Sequence, residues 1–167
     1  TRPLVFALQE ASNRGLDVYA LREGDPQLKG GKATFDCQAG GILYEDRGSD
    51  FERAFLIAHE LGHVVLEGGT LDVVTVYVEP DRSLEDAPVG VDRVLDYGAR
   101  ERREVKMDLF AREFLLPRSV LRDLHIYDGL GSDAIATRFG APLAVVQQQL
   151  LDALLLPPVG EPHPARV

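Results

Sequence analysis

Cysteine occurs once, at Cys37, so no intrachain disulfide can form and a zinc cluster built on several thiolates is excluded. So little cysteine suits a reducing compartment. Long apolar runs are missing as well. The longest, Leu4 to Leu8 and Ala54 to Ala58, fall far short of the ~18 residues of a membrane span, and no cationic segment followed by an apolar one marks a leader. These absences point to a cytoplasmic protein with no membrane partner. Positive charge is the third scarcity. Lys and Arg number 18 against 27 Asp and Glu, a formal charge of −9. A field of that sign repels phosphate backbones unless a local basic stripe overcomes it. The densest basic run, Arg100, Arg102 and Arg103, is interleaved with Glu101 and Glu104 and reads as a solvated helix face, so no direct nucleic-acid contact is expected.

What is present is an ordinary globular composition: 167 residues, 45% apolar and 27% charged, enough to bury one sizeable core. Leu4 to Asn13 spaces its apolar residues as a helix, with Gly15 behind it. Three β-like segments follow, Leu16 to Arg22, Ala33 to Cys37 and Gly41 to Tyr44, divided by glycine-containing turns. Ser49-Asp50-Phe51-Glu52 has the form of a capping box, opening a helix that runs to Glu67 and closes at Gly68-Gly69. Val73 to Val78 has strand character, ahead of an acidic, loop-like insert over residues 79–95. Further helices are expected over 100–116, stopped by Pro117, then over 118–125, 133–139 and 142–155.

The fold class is therefore α+β: a small antiparallel three-stranded sheet packed on a helical layer, with a helical C-terminal portion. One domain is expected over 1–155, of which 133–155 forms a hairpin-like end. Residues 156–167 hold Pro157, Pro158, Pro162 and Pro164 and read as a linker tail. With Thr1 in place of an initiator Met, the expectation is a piece of a larger protein.

The chemistry is concentrated in His59-Glu60-Leu61-Gly62-His63, an HExxH on the capped helix. Positions i and i+4 share a helix face, so both imidazoles can reach one metal ion, while the intervening Glu flanks it. A catalytic zinc site needs a third protein ligand and an open fourth position. That ligand is His125, His163 or a carboxylate, and His163 lies in the tail. Glu104 is the better candidate, because it opens the next strong helix and is followed one turn later by Asp108. Asp108 would hydrogen-bond the remaining N–H of a ligand histidine and fix its tautomer. One Zn2+ ion is the expected cofactor. The donor set suits hydrolysis, with Glu60 taking a proton from water and returning it to the leaving amine. An oxyanion donor is also expected, for which Tyr97, His125 and Tyr127 are the candidates.

The run Arg53-Ala54-Phe55-Leu56-Ile57-Ala58-His59-Glu60-Leu61-Gly62-His63, followed by Glu104 to Asp108, Phe110-Ala111 and Phe114-Leu115-Leu116-Pro117, resembles the ImmA/IrrE family of zinc metallopeptidases. Order and spacing of both blocks match. The chain departs from the family's pattern at Met107, where Ala is usual, at Asp108, where Asn is common, and in the insert between the blocks. The resemblance implies a gluzincin-like site in which His59, His63 and Glu104 bind zinc and Glu60 is the general base. It also implies a protein substrate, a helix-turn-helix repressor, cleaved as a stress or mobile-element switch. The rival reading is a non-proteolytic sensory or protein-binding module of a larger DNA-repair or defence protein that retains the metal site. A purely structural zinc domain gives Glu60 no role.

Two features fall outside this reading. Ala136 to Gly140 with Val145-Val146 has helix-turn-helix spacing, but Arg138 is the one basic residue between Asp133 and Asp152, so a packing unit is expected rather than a DNA reader. Cys37, in a predicted strand, reads as a small core hydrophobe.

Overall fold

The computed structural model describes residues 2–83 and 98–156. The insert beyond Ser83, Tyr97 and the proline-rich tail after Leu156 lie outside the described residues. Helix α1, Pro3–Asn13, starts with a proline in its first turn, where a missing N–H has no partner to lose. Strand β1 (Asp17–Leu21), a single 3-10 turn (Pro26–Leu28), β2 (Ala33–Asp36) and β3 (Gly41–Glu45) lead to α2, Asp50–Glu67. Strand β4 (Val73–Thr75) follows, and then four helices: α3 (Ala99–Leu115), α4 (Arg118–Ile126), α5 (Ser132–Phe139) and α6 (Leu143–Leu155).

The sheet corrects the expectation of three antiparallel strands. It has four strands in the order β1-β3-β2-β4 and is mixed. Strand β1 runs parallel to β3, with Asp17 opposite Gly41 and Leu21 opposite Glu45, while β2 is antiparallel to both β3 and β4. The cause lies in the connections. Between β2 and β3 the turn is tight, and Asp36 Oδ1 accepts the N–H groups of Gln38 and Ala39, each at 3.0 Å, so these two strands form a hairpin. Between β1 and β2 the chain is long enough to swing through the 3-10 turn, anchored by buried Leu28, and to pass the position of β3. The hairpin then inserts β3 beside β1. Strand β3 carries buried Ile42 and Tyr44 and takes the interior position, while the edge strand β1 leaves Tyr19 exposed.

Helix α2 is the axis of the fold. Both halves of its capping box form: Ser49 Oγ accepts from Glu52 N at 3.2 Å, and Glu52 Oε2 accepts from Ser49 N at 2.7 Å. Gly68 ends it in the left-handed conformation at φ 83°. From Phe51 to His63 the helix is buried on almost every side, as fits an element enclosed by α1, the sheet and α3. Gly62 sets the spacing to α3. A Cβ there would stand 2.9 Å from Met107 Sδ and 3.0 Å from Phe110 Cδ1. The two helices meet this closely because the glycine presents no side chain.

The C-terminal helices α4 to α6 pack through Leu121, Leu124, Ile135, Val145, Val146 and Leu150, all buried. Gly140, at φ 62°, turns α5 into α6, and the inward-facing apolar residues on either side of it make this pair a packing unit. One apolar cluster joins α1, the sheet, α2, α3 and these helices, with Cys37 half-buried against it.

Candidate metal centre

Helix α2 supplies His59 and His63 one turn apart, and α3, drawn in over Gly62, supplies Glu104 and Asp108 one turn apart. Ligating atoms of His59, His63 and Glu104 all lie within 4.8 Å of one another. His59 Nε2 is 3.0 Å from Glu104 Oε2, and His63 Nε2 is 3.6 Å from Glu104 Oε1. Donors bound tetrahedrally to zinc at its usual bond lengths stand ~3.3 Å apart, midway between these two separations.

Each imidazole is fixed from behind. Asp108, 1% exposed, places Oδ1 3.0 Å from His59 Nδ1, and since a carboxylate only accepts, that nitrogen carries the proton. The other Asp108 oxygen accepts from Glu79 N at 3.2 Å and from Arg82 Nε at 3.1 Å. His63 Nδ1 faces Glu67 Oε2 at 3.2 Å, and Glu67 accepts from Arg103 Nε at 2.7 Å. His63 Nε2 is then a bare lone pair, buried and without a hydrogen-bond partner, directed at Glu104. An orphaned donor atom of this kind beside a carboxylate and a second imidazole fits a bound divalent cation.

Protonation follows from the same contacts. Burial pulls the His59 imidazole down, but its bonds to Asp108 and Glu104 outweigh this and raise it to about 9. Without metal, His59 is therefore an imidazolium whose Nε2 proton bridges to Glu104. Burial lowers His63, which stays neutral despite Glu67. Burial would raise Glu104, but the hydrogen bond from His59 holds it below the usual carboxylate range. Glu67 is held down at about 2, first by its bonds from Arg103.

Glu60 is fully buried, and neither carboxylate oxygen has a hydrogen-bond partner. Burial raises it to about 7, against the pull of the His59 cation. Thr75 on β4 is the polar neighbour that opposes the rise, although its hydroxyl stops short of hydrogen-bonding geometry. A buried carboxylate poised near neutrality can take up and release a proton. Beside the donor group a cleft of about 460 Å³ runs between Val74, Val76 and Tyr77 on one side and Arg100, Glu104 and Val105 on the other.

The structure thus brings His59, Glu60, His63, Glu104 and Asp108 together. It places His125 and Tyr127 at the end of α4, where His125 Nδ1 bonds the Leu130 carbonyl at 2.8 Å and Tyr127 is 79% exposed. Neither belongs to the donor group, and Tyr97 lies outside the described residues. Sequence reasoning missed Glu67, Arg103 and Arg82. Glu67 was within reach of it, standing four residues after His63 on the same helix face. Arg82 sits in the segment with no readable periodicity.

Behind Arg82 lies an interior arginine. Arg112, 1% exposed on α3, donates Nε to Gln149 Oε1 at 2.7 Å and Nη2 to Asp152 Oδ2 at 2.5 Å. Its Nη1 donates to the carbonyls of Pro80 and Arg82. The 79–82 turn is therefore pinned to α3 twice, at Asp108 and at Arg112, and Arg112 in turn is tied to α6.

No curated protein and no solved structure matches the chain. Residues 13–86 match the family model Peptidase_M78, described as the IrrE N-terminal-like domain, a stretch that includes α2 and both histidines and ends before Glu104. Over that segment the chain is similar to the ImmA/IrrE family of peptidase-like domains, as its HExxH-bearing helix led us to expect.

Proposed function

We propose that the protein is a zinc-dependent endopeptidase that cleaves a regulatory protein, a helix-turn-helix repressor, in the cytoplasm as a stress or mobile-element switch. The observation that carries the reading is Glu60: a carboxylate buried without a partner, raised to about 7, next to a His-His-Glu donor group. Burying such a group is costly, and a site that only held metal for structural reasons would have no use for it. The family match to a peptidase domain supports the same reaction class.

In this mechanism His59, His63 and Glu104 hold the ion, which when bound supplies Lewis acidity toward the scissile carbonyl and acidifies water. Asp108 keeps the Nδ1 of His59 protonated, so that its Nε2 would be free to serve as a ligand. Glu60 accepts the proton of the attacking water and delivers it to the departing amine nitrogen. The cleft between β4 and α3, with Val74, Val76, Tyr77 and Val105 on its walls, would take an extended, partly apolar stretch of the substrate.

The test is incubation of zinc-loaded protein with the helix-turn-helix repressor encoded nearest its gene, read as cleavage on a gel. Glu60→Gln should retain zinc and lose cleavage by ~10²-fold or more. If wild type and variant leave the repressor equally intact while both bind zinc and the repressor, the non-proteolytic binding module replaces this reading.

A further inference from the structure

The carboxylate behind His63 raises a question that the donor group alone does not answer. Glu67 lies one turn beyond a ligand histidine, and an acidic residue so placed is either a fourth metal ligand, which would close the site, or an outer support, which would leave it open. The geometry separates these. Glu67 approaches His63 at Nδ1, at 3.2 Å, whereas the donor group gathers around His63 Nε2, on the other side of the ring. Glu67 also has both oxygens engaged: Oε1 accepts from Arg103 Nε at 2.7 Å, and Oε2 accepts from Arg103 Nη2 at 2.5 Å as well as facing the imidazole. Bidentate capture of a carboxylate by a guanidinium fixes its plane and its reach. Arg103 in turn immediately precedes Glu104 on α3.

We propose that Glu67, gripped by Arg103, is a positioning residue that fixes the His63 tautomer and ring orientation and leaves the fourth position of the metal open. This rests on the metal-site reading above. It gives the site an internal symmetry: His59 is backed by Asp108 and Arg82, and His63 by Glu67 and Arg103. Two neighbouring α3 residues then act on one imidazole from opposite sides, Glu104 toward Nε2 and Arg103, through Glu67, toward Nδ1.

The experiment measures zinc affinity by chelator competition, and the His63 tautomer of the metal-free protein by side-chain nitrogen NMR, for wild type, Glu67→Ala, Glu67→Gln and Arg103→Met. Glu67→Ala should weaken zinc binding ~10- to 100-fold and move the ring proton of His63 from Nδ1 toward Nε2. Glu67→Gln, which keeps an acceptor at the same reach, should restore most of the affinity, and Arg103→Met should fall between. Cobalt-substituted wild type and Glu67→Ala should show the same coordination number. Unchanged affinity and tautomer in Glu67→Ala, with zinc bound by wild type, would reduce the Glu67–Arg103 pair to a helix–helix tie and overturn the proposal while leaving the metal site standing. A changed cobalt coordination number in Glu67→Ala would make Glu67 a ligand and overturn it too. Absence of zinc binding by wild type would remove the metal reading and this proposal together.

Discussion

Replacing Arg112 with methionine should be among the most damaging single changes available outside the donor group. The side chain is 1% exposed and reaches four acceptors: Gln149 Oε1, Asp152 Oδ2 and the carbonyls of Pro80 and Arg82. Burial pulls the guanidinium down from its ordinary range, with the Asp152 charge opposing, which is the signature of a cation held inside by its partners. Methionine matches much of the stem and returns its packing, so what is lost is the charge and its donors. Taking one member from a buried ion pair costs ~3–5 kcal/mol, because the remaining carboxylate stays desolvated. For a domain of this size that corresponds to a fall of roughly 6–20 °C in Tm.

The assay is urea unfolding of the metal-free protein, with the midpoint compared at constant slope. Arg112→Met combined with Asp152→Leu removes both charges and should recover at least ~1 kcal/mol of the single variant's loss, since an apolar pair of similar volume is often as stable as a buried ion pair. A second readout is zinc affinity under conditions where Arg112→Met is still folded. Loosening the 79–82 turn frees the Arg82 and Glu79 contacts to Asp108 and should weaken zinc binding. A midpoint shift worth under ~1 kcal/mol for the single variant, or a double variant less stable than the single, would refute the argument that the arginine is interior and charge-paired.

Two further outcomes are expected. Gly62→Ala places a methyl 2.9 Å from Met107 Sδ and 3.0 Å from Phe110 Cδ1, so despite better helix propensity it should destabilise by ~1–3 kcal/mol. Adding Met107→Ala should relieve the Gly62→Ala strain, and a strictly additive cycle in thermal unfolding would show that the helices do not meet there. The metal-free protein should also lose stability as the solution becomes alkaline. His59, raised to about 9 in the fold, contributes fully below its unfolded value near 6.5 and loses that contribution as pH rises to about 9. Glu60, raised to about 7, acts with the same sign, its contribution fading between about 4.5 and 7. Unfolding scans of metal-free protein that rise or stay flat from pH 5 to 9 would contradict both assignments, and a His59→Asn variant should remove the upper part of the slope.

The parts of this molecule that could be read from its sequence are the ones whose cause is local. The capping box at Ser49 and Glu52, the glycine stop at Gly68 and the single helix face shared by His59 and His63 each depend on residues within one or two turns. Glu104 and Asp108 were reachable because they repeat the same one-turn spacing on the next strong helix. The sheet order was not, since β1 pairs with β3 through a connection whose path is set by where Leu28 finds burial, and nothing in three short apolar segments records that path. Arg112 was hidden for a related reason. On α3, whose composition is strongly charged, an arginine reads as solvated, and only its meeting with Asp152, forty residues on, reveals it as interior. The same holds for Arg82 and Arg103, whose carboxylate partners lie 26 and 36 residues away. A periodic pattern can reveal which residues could hold a metal, whereas the groups that hold those residues still come from chain crossings that have no period. It follows that variants of the supporting arginines are the sharper test of the structure. Variants of His59 or His63 would be expected to lose metal on the motif alone, but only the fold predicts that Arg82, Arg103 and Arg112 should matter to it.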